Sequence, residues 1–232
     1  MKNFIKRELS GWKSWEIIWF IVCCVIIGGL SVYWKDNMMG IVSAITGVAC
    51  VVCTGKGKLS AYIFGLINCV LYAYISYKAK LYGETMLNVI YYVPMQFYGF
   101  CVWRKNMNQE TNEVTKRHMT NKLRVLCILA ILLGTVMYGA FLRKIGGTLP
   151  FVDAFTTVSS VVALIISIKM FSEQWWLWFV VDLLTVMMWI STLPDGSAAT
   201  LLMWMVYLIN AVVMCVKWET EIHRDKNVRV KA

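Results

Sequence analysis

The stretch Trp175–Thr192, WWLWFVVDLLTVMMWIST, carries a single charged side chain, Asp182, in eighteen residues. As a helix rising 1.5 Å per residue it is about 27 Å long, close to the roughly 30 Å thickness of a bilayer's hydrocarbon core. A water-soluble fold could bury such a run only beneath a charged skin. This chain of 232 residues is 59% hydrophobic and only 16% charged, against about a quarter charged in ordinary soluble domains. The same figures exclude disordered, collagen-like and nucleic-acid-binding classes, each of which needs a polar or repetitive composition. The net charge of +10 is read instead as Lys and Arg at a membrane surface.

Working outward from Trp175–Thr192, seven further apolar segments are bounded by charge, Gly or Pro: Glu16–Trp34, Met38–Thr54, Leu59–Tyr77, Met86–Trp103, Leu123–Leu142, Phe151–Met170 and Ala198–Lys217. The breaks include Lys35–Asp36, Lys78–Glu84 and Pro194–Ser197. The first segment follows a basic start but is too long, and lacks the small-residue cleavage site, for a signal peptide; it is read as a retained helix. The expected class is an all-α membrane protein with eight transmembrane helices. With both termini inside, 18 of the 23 Lys and Arg fall on the cytoplasmic side, as the positive-inside rule requires.

Eight Cys lie within apolar segments, where Cys acts as a small hydrophobe. The pair Cys50-x-x-Cys53 has no second pair or His nearby, and His118 and His223 lie in charged segments. No metal, cofactor or catalytic site is therefore expected. Trp12, Trp15, Trp34, Trp103 and Trp218, at segment ends, suit an interfacial belt. Asp153 suits a helix cap.

A shift of 114 residues superimposes Met38–Arg104 on Val152–Trp218 without a gap. Phe64 then meets Trp178, Asn68 meets Asp182, and Gln96 meets Asn210. Two three-helix blocks of like orientation need one span between them, and Leu123–Leu142 supplies it. The expected plan is a leading helix followed by 3+1+3, a SWEET-like parallel repeat. Its parts are 1–35, 36–104, 105–145, 146–218 and 219–232.

Polar side chains at bilayer depth are costly and mark functional paths. The first block supplies Asn68, then Asn88, Tyr92 and Gln96 at four-residue spacing. The second supplies Trp178, Asp182, Thr185 and Trp189, then Tyr207 with Asn210. Phe64 and Trp178 each lie a turn before the paired polar residue. Such a set suits a small hydroxylated ligand with a planar, neutral or cationic end: amides bind hydroxyls, aromatic faces stack, and a carboxylate favours positive charge. A phosphorylated ligand is disfavoured, because no Lys or Arg lies at midspan.

The runs Leu81-Tyr-Gly-Glu-Thr-Met-Leu-Asn88, Gln96-Phe-Tyr-Gly99 with Trp103, Leu149-Pro-Phe-Val-Asp153-Ala-Phe-Thr-Thr and Trp175-Trp-Leu-Trp178-Phe-Val-Val-Asp182 resemble the Pnu-type vitamin transporters, and within them the carriers of nicotinamide riboside. The resemblance covers most of residues 38–218. It implies a bacterial inner-membrane protein, often a homotrimer, that passes unphosphorylated nicotinamide riboside down its gradient. Phosphorylation inside the cell would trap the substrate. Carriers of other vitamins, thiamine or riboflavin among them, share these motifs, and Asp182 leaves open coupling to protons. Family binding residues carry over to Asn88, Gln96, Trp178, Asp182, Tyr207 and Asn210; the repeat adds Phe64 and Asn68. Leu202 stands opposite Asn88 in the repeat, which makes the expected site asymmetric.

Overall fold

The computed structural model describes residues 2–33, 37–79, 82–144, 146, 150–191 and 198–231. Trp34, the Lys35–Asp36 break, Lys80, Leu81, Leu149 and the Pro194–Ser197 break lie outside them. The described residues form helices α1 (Lys2–Leu9), α2 (Ser14–Tyr33), α3 (Met38–Lys56), α4 (Ser60–Lys78), α5 (Tyr82–Met86), α6 (Val93–Lys105), α7 (Asn121–Lys144), α8 (Pro150–Ile168), α9 (Gln174–Ser191) and α10 (Ala198–Lys231), with a π-helical turn at Leu87–Tyr92 joining α5 to α6. Among the described residues, extended pairing is limited to the isolated bridges Met107–Val114 and Arg117–Phe171.

The described residues of the eight expected apolar segments are helical, apart from turn residues Leu59, Lys169 and Met170. Five helices are long and apolar enough to cross a membrane: α3, α4, α7, α8 and the part of α10 at Ala199–Arg224. Shorter apolar stretches occur at Ser14–Leu30 and Gln174–Ile190. Two helical pieces exceed the expectation. The basic start contains α1, and α10 continues to Lys231, because charges after Lys217 end an apolar run without breaking a helix. Asp153 sits inside the first turn of α8, where its charge meets the helix dipole without capping the end.

Two compact units are formed, Met1–Thr115 with Val186–Asn210, and Lys116–Thr185 with Ala211–Ala232. In the first, α3 packs along α4. Its apolar core joins Cys23 and Ile27 of α2, Val48 and Val52 of α3, Tyr72 of α4, and Trp189 and Met203 from α9 and α10. In the second, α7 packs along α8, and Trp175, Ala211, Met214 and Trp218 form a separate cluster. Trp103 and Trp218 are fully buried, a correction to their expected place in an interfacial belt. Trp103 meets Tyr62 edge-on at 5.1 Å, and Trp218 meets Trp175 at 5.7 Å with the Lys116 ammonium 5.6 Å above its ring.

The ends of α3 and α8 share one device. The Lys58 amide bonds back to the Cys53 carbonyl around left-handed Gly57 (φ 82°), and the Phe171 amide bonds to Ile166 around left-handed Met170 (φ 60°). Both satisfy carbonyls that a helix end leaves open. The turn after α3 is then tied down by charge. Lys56 pairs with Glu16 at 2.9 Å and Glu113 at 3.0 Å. Lys58, wholly buried, donates to the carbonyls of Arg7 and Asn112. Burial pushes the Lys58 ammonium below its usual pKa, while Glu113 and Glu8 pull the other way. No side chain of Leu59 caps α4; the Glu8 carboxylate from α1 takes its first amide, Ser60 N, at 2.9 Å, as a helix N-terminus favours.

The second unit has a corresponding network. Lys116 pairs with Glu221, Arg124 with Glu173 at 2.6 Å, and His118 lies 3.6 Å from Glu173 and 3.4 Å from Glu219. Ser172 also donates to Glu219.

Removing Lys56 leaves the buried Glu16 carboxylate without its cation. Lys56→Met is expected to lower stability by about 3–5 kcal/mol, read as denaturant unfolding of the purified protein in detergent. Adding Glu16→Gln to that variant restores part of the loss. A single variant as stable as the parent would show that the pair contributes nothing.

Candidate functional site

The polar residues expected from sequence divide by unit. In the first, Asn68 lies on α4 and reaches α3, donating to the Ser43 carbonyl at 2.8 Å and its hydroxyl at 3.2 Å, with Met203 Sδ at 3.5 Å. This approach depends on Gly47. A Cβ there would stand 2.8 Å from Asn68 Nδ2 and 2.7 Å from Met203 Sδ, and would overlap the Tyr207 hydroxyl. Asn68 and Tyr207 therefore converge on one backbone notch, the close approach that small residues permit in membrane helices.

A second notch is Gly65, where a Cβ would lie 2.6 Å from Gln96 Oε1 and 3.1 Å from Cys50 Sγ. Gln96 is buried and directs its Nε2 at Cys69 Sγ, 3.7 Å away. Asn210, also buried, accepts from Trp19 Nε1 and donates to the Val51 carbonyl, each at 3.4 Å. Asn88 is buried and donates to Glu84 O in its own helix at 2.8 Å.

The π turn sets the register of Asn88 and Gln96. Eight residues at 3.6 per turn would rotate Gln96 about 80° past Asn88. The turn at Leu87–Tyr92, closed by Val93 N on Asn88 O, absorbs an extra residue and brings the two amides back toward one face. Both are buried, whereas Tyr92 of the expected four-residue series is only half-buried.

In the second unit, Trp178 is half-buried against the Trp175–Trp218 cluster. Asp182 is 2% exposed, and its Oδ1 meets no hydrogen-bond partner among the described residues. Neighbouring Thr185 turns its hydroxyl to the Val181 carbonyl at 2.8 Å and so leaves the carboxylate alone. Phe64, expected beside Asn68 as an aromatic face, lines an apolar chamber of about 490 Å³ with residues of α1 to α4.

Tyr72 was not among the expected residues. Its hydroxyl accepts from Trp189 Nε1 at 3.0 Å, and its ring packs 5.7 Å from Trp204, which in turn meets Tyr207 at 5.2 Å. The signal was present, since Phe64, Asn68, Tyr72 and Ser76 repeat every fourth residue along α4. Cys50 and Cys53 are free thiols.

With this geometry in place, comparison with known proteins is direct. Residues 37–220 match the family model described as nicotinamide mononucleotide transporter. The chain belongs to that family. Among its relatives, the nicotinamide riboside transporter PnuC of Neisseria mucosa is 42% identical, covering 94% of this chain and 86% of the relative. The nicotinamide riboside transporter PnuC of Haemophilus influenzae is 32% identical, covering 95% and 96%. A crystal structure of the vitamin B3 transporter PnuC superimposes with a TM-score of 0.87 at 40% identity, over 96% of this chain and 98% of that one. These relatives are membrane transporters and not enzymes, and the elements formed by the described residues here are all helices, several of them apolar enough to cross a membrane.

Gly47 offers a check on the convergence of Asn68 and Tyr207. Gly47→Ala is expected to cost about 1–3 kcal/mol by overpacking. Gly28 has open space where a Cβ would stand, so Gly28→Ala is expected to be neutral or to gain up to about 1 kcal/mol through helix propensity. Thermal unfolding of both variants in detergent measures the contrast.

Proposed function

We propose that this chain is a multi-pass transporter of the bacterial inner membrane that takes up nicotinamide riboside. The observation that carries the reading is Asp182: a buried carboxylate with an acceptor oxygen left open, one turn from the ring of Trp178. A pyridinium riboside brings a planar cation that suits such a pair, and the family resemblance, with the repeat for Asn68, offers Asn68, Asn88, Gln96, Tyr207 and Asn210 as candidates for its ribose hydroxyls. The family description names a mononucleotide, whereas the relatives carry the name of the riboside. Charge favours the riboside. Lys56, Lys58 and Lys217 lie at or beyond helix ends or segment ends, so no cation stands at midspan to compensate a phosphate.

Transport in this reading is facilitated diffusion, made one-way by phosphorylation of the substrate inside the cell. The matching caps that end α3 and α8 support the duplicated 3+1+3 plan, with rocking of the two three-helix blocks as the means of alternating access. The caps lie 113 residues apart, one fewer than the sequence shift, which places a one-residue difference in the turn. The charge asymmetry favours cytoplasmic N- and C-termini, and family resemblance favours a homotrimer. An isolated buried carboxylate also suits proton coupling; uptake that stops when the proton gradient is collapsed would select that reading.

Purified protein is expected to bind nicotinamide riboside in preference to the mononucleotide, thiamine and riboflavin in a direct binding assay. Asp182→Asn is expected to weaken the riboside about tenfold or more, the value of a charge-assisted contact, and to leave an analogue with a neutral, reduced ring nearly unchanged. Equal losses for both ligands would remove the charge role. Trp178→Ala is expected to abolish measurable uptake while the protein still purifies as a folded species.

A further inference from the structure

We propose that the chamber beneath α1 is a site for an anionic phospholipid of the inner leaflet. An acyl chain occupies the chamber, and the phosphate rests on Lys6. The inference depends on the inward placement of the N-terminus proposed above and not on the substrate's identity.

The chamber lies wholly within the first unit. Ile5 and Leu9 of α1, Trp12, Phe20 of α2, Val52 of α3 and Phe64 of α4 wall it with carbon. Its volume of about 490 Å³ falls in the range of ligand cavities. A shallow recess lined by Ile5, Lys6, Leu9 and Ser10 shares two of these residues, so the apolar space adjoins a basic and hydroxylated lip. Ile5 and Leu9 are exposed at that lip, Leu9 by 72%.

The charges around the chamber fit one kind of headgroup. Glu8 is the one acid among the chamber's lining residues, and its Oε2 carboxylate oxygen is occupied by Ser60 N. Arg7 is turned aside to Asn112 Oδ1 at 2.7 Å. Lys6 lines the recess and is exposed. A short basic amphipathic helix whose apolar face opens into a cavity recognises chain and phosphate together, and each cation near an anionic leaflet adds to the attraction. Because Phe64 lies one turn from Asn68 on α4, an occupied chamber braces the helix that carries a substrate-binding amide.

The test uses the full-length protein in detergent, titrated with phosphatidylglycerol or phosphatidylethanolamine carrying brominated chains, with tryptophan fluorescence as readout. Trp12→Phe isolates the contribution of the Trp in the chamber wall. The expected result is saturable quenching by phosphatidylglycerol that Trp12→Phe removes, at least tenfold weaker with phosphatidylethanolamine. Lys6→Glu, a change at an exposed position, is expected to weaken it about tenfold, and Ile63→Trp, which fills the chamber, to abolish it. Equal quenching by both lipids, or no effect of Lys6→Glu, would overturn the proposal. So would competition by glycerol phosphate as strong as by whole lipid, which would mean that only the phosphate binds. Quenching that appears only after the oligomer is dissociated would assign the chamber to a second copy and also overturn it.

Discussion

Helices in a bilayer must satisfy their polar groups without water, and this constraint decides what each polar residue of the chain means. An unpaired amide or carboxylate in hydrocarbon costs several kcal/mol. Asn68, Asn88 and Asn210 meet that cost locally, through carbonyls of Ser43, Glu84 and Val51. Each such bond fixes the amide, and Asn210 also accepts from Trp19 Nε1. Asp182 differs in kind. Its Oδ1 has no donor among the described residues, and its neighbours on α9 are apolar or turned back to their own backbone. A membrane protein that keeps such a group loses stability, and in the reading proposed above a cationic ligand would recover the loss on binding.

The fold was legible because hydrophobicity and charge respond to the bilayer directly. Helix positions followed from apolar length, and their ends from Lys, Gly and Pro. What escaped was structure that the bilayer does not dictate. Helix α1 and the extension of α10 beyond Lys217 have good helix formers but no apolar length, so hydropathy is blind to them. Trp103 and Trp218 show the opposite failure. Their position at segment ends matches an interfacial belt, yet Tyr62 and Trp175 offer aromatic edges that bury them completely. Position along a span does not distinguish a ring facing headgroups from one facing a neighbouring helix.

The site was legible by residue type and only partly by arrangement. The recurrence of an aromatic residue four places before a polar one singled out Phe64 with Asn68 and Trp178 with Asp182. It could not say that Gly47 and Gly65 are the notches that admit Asn68, Tyr207 and Gln96, because a glycine's role depends on what packs against it. Nor could four-residue spacing reveal the π turn. Asn88 and Gln96 are brought toward one face where the helix departs from α geometry just before Pro94, whose ring cannot donate to the turn below.

The two families of name among the relatives turn on one phosphate, and electrostatics separates them on grounds independent of sequence similarity. A mononucleotide adds about two negative charges near neutral pH, as phosphate esters do. Moving that charge to the middle of a bilayer requires cations at depth. Here the buried Lys56 is committed to Glu16 and Glu113, and the buried Lys58 to two carbonyls. The buried carboxyl with an open oxygen is that of Asp182. In the reading proposed above, Asp182 would hold the cationic ring and disfavour the phosphorylated product. That same discrimination is what a downhill carrier needs if phosphorylation inside the cell is to prevent its cargo from leaving.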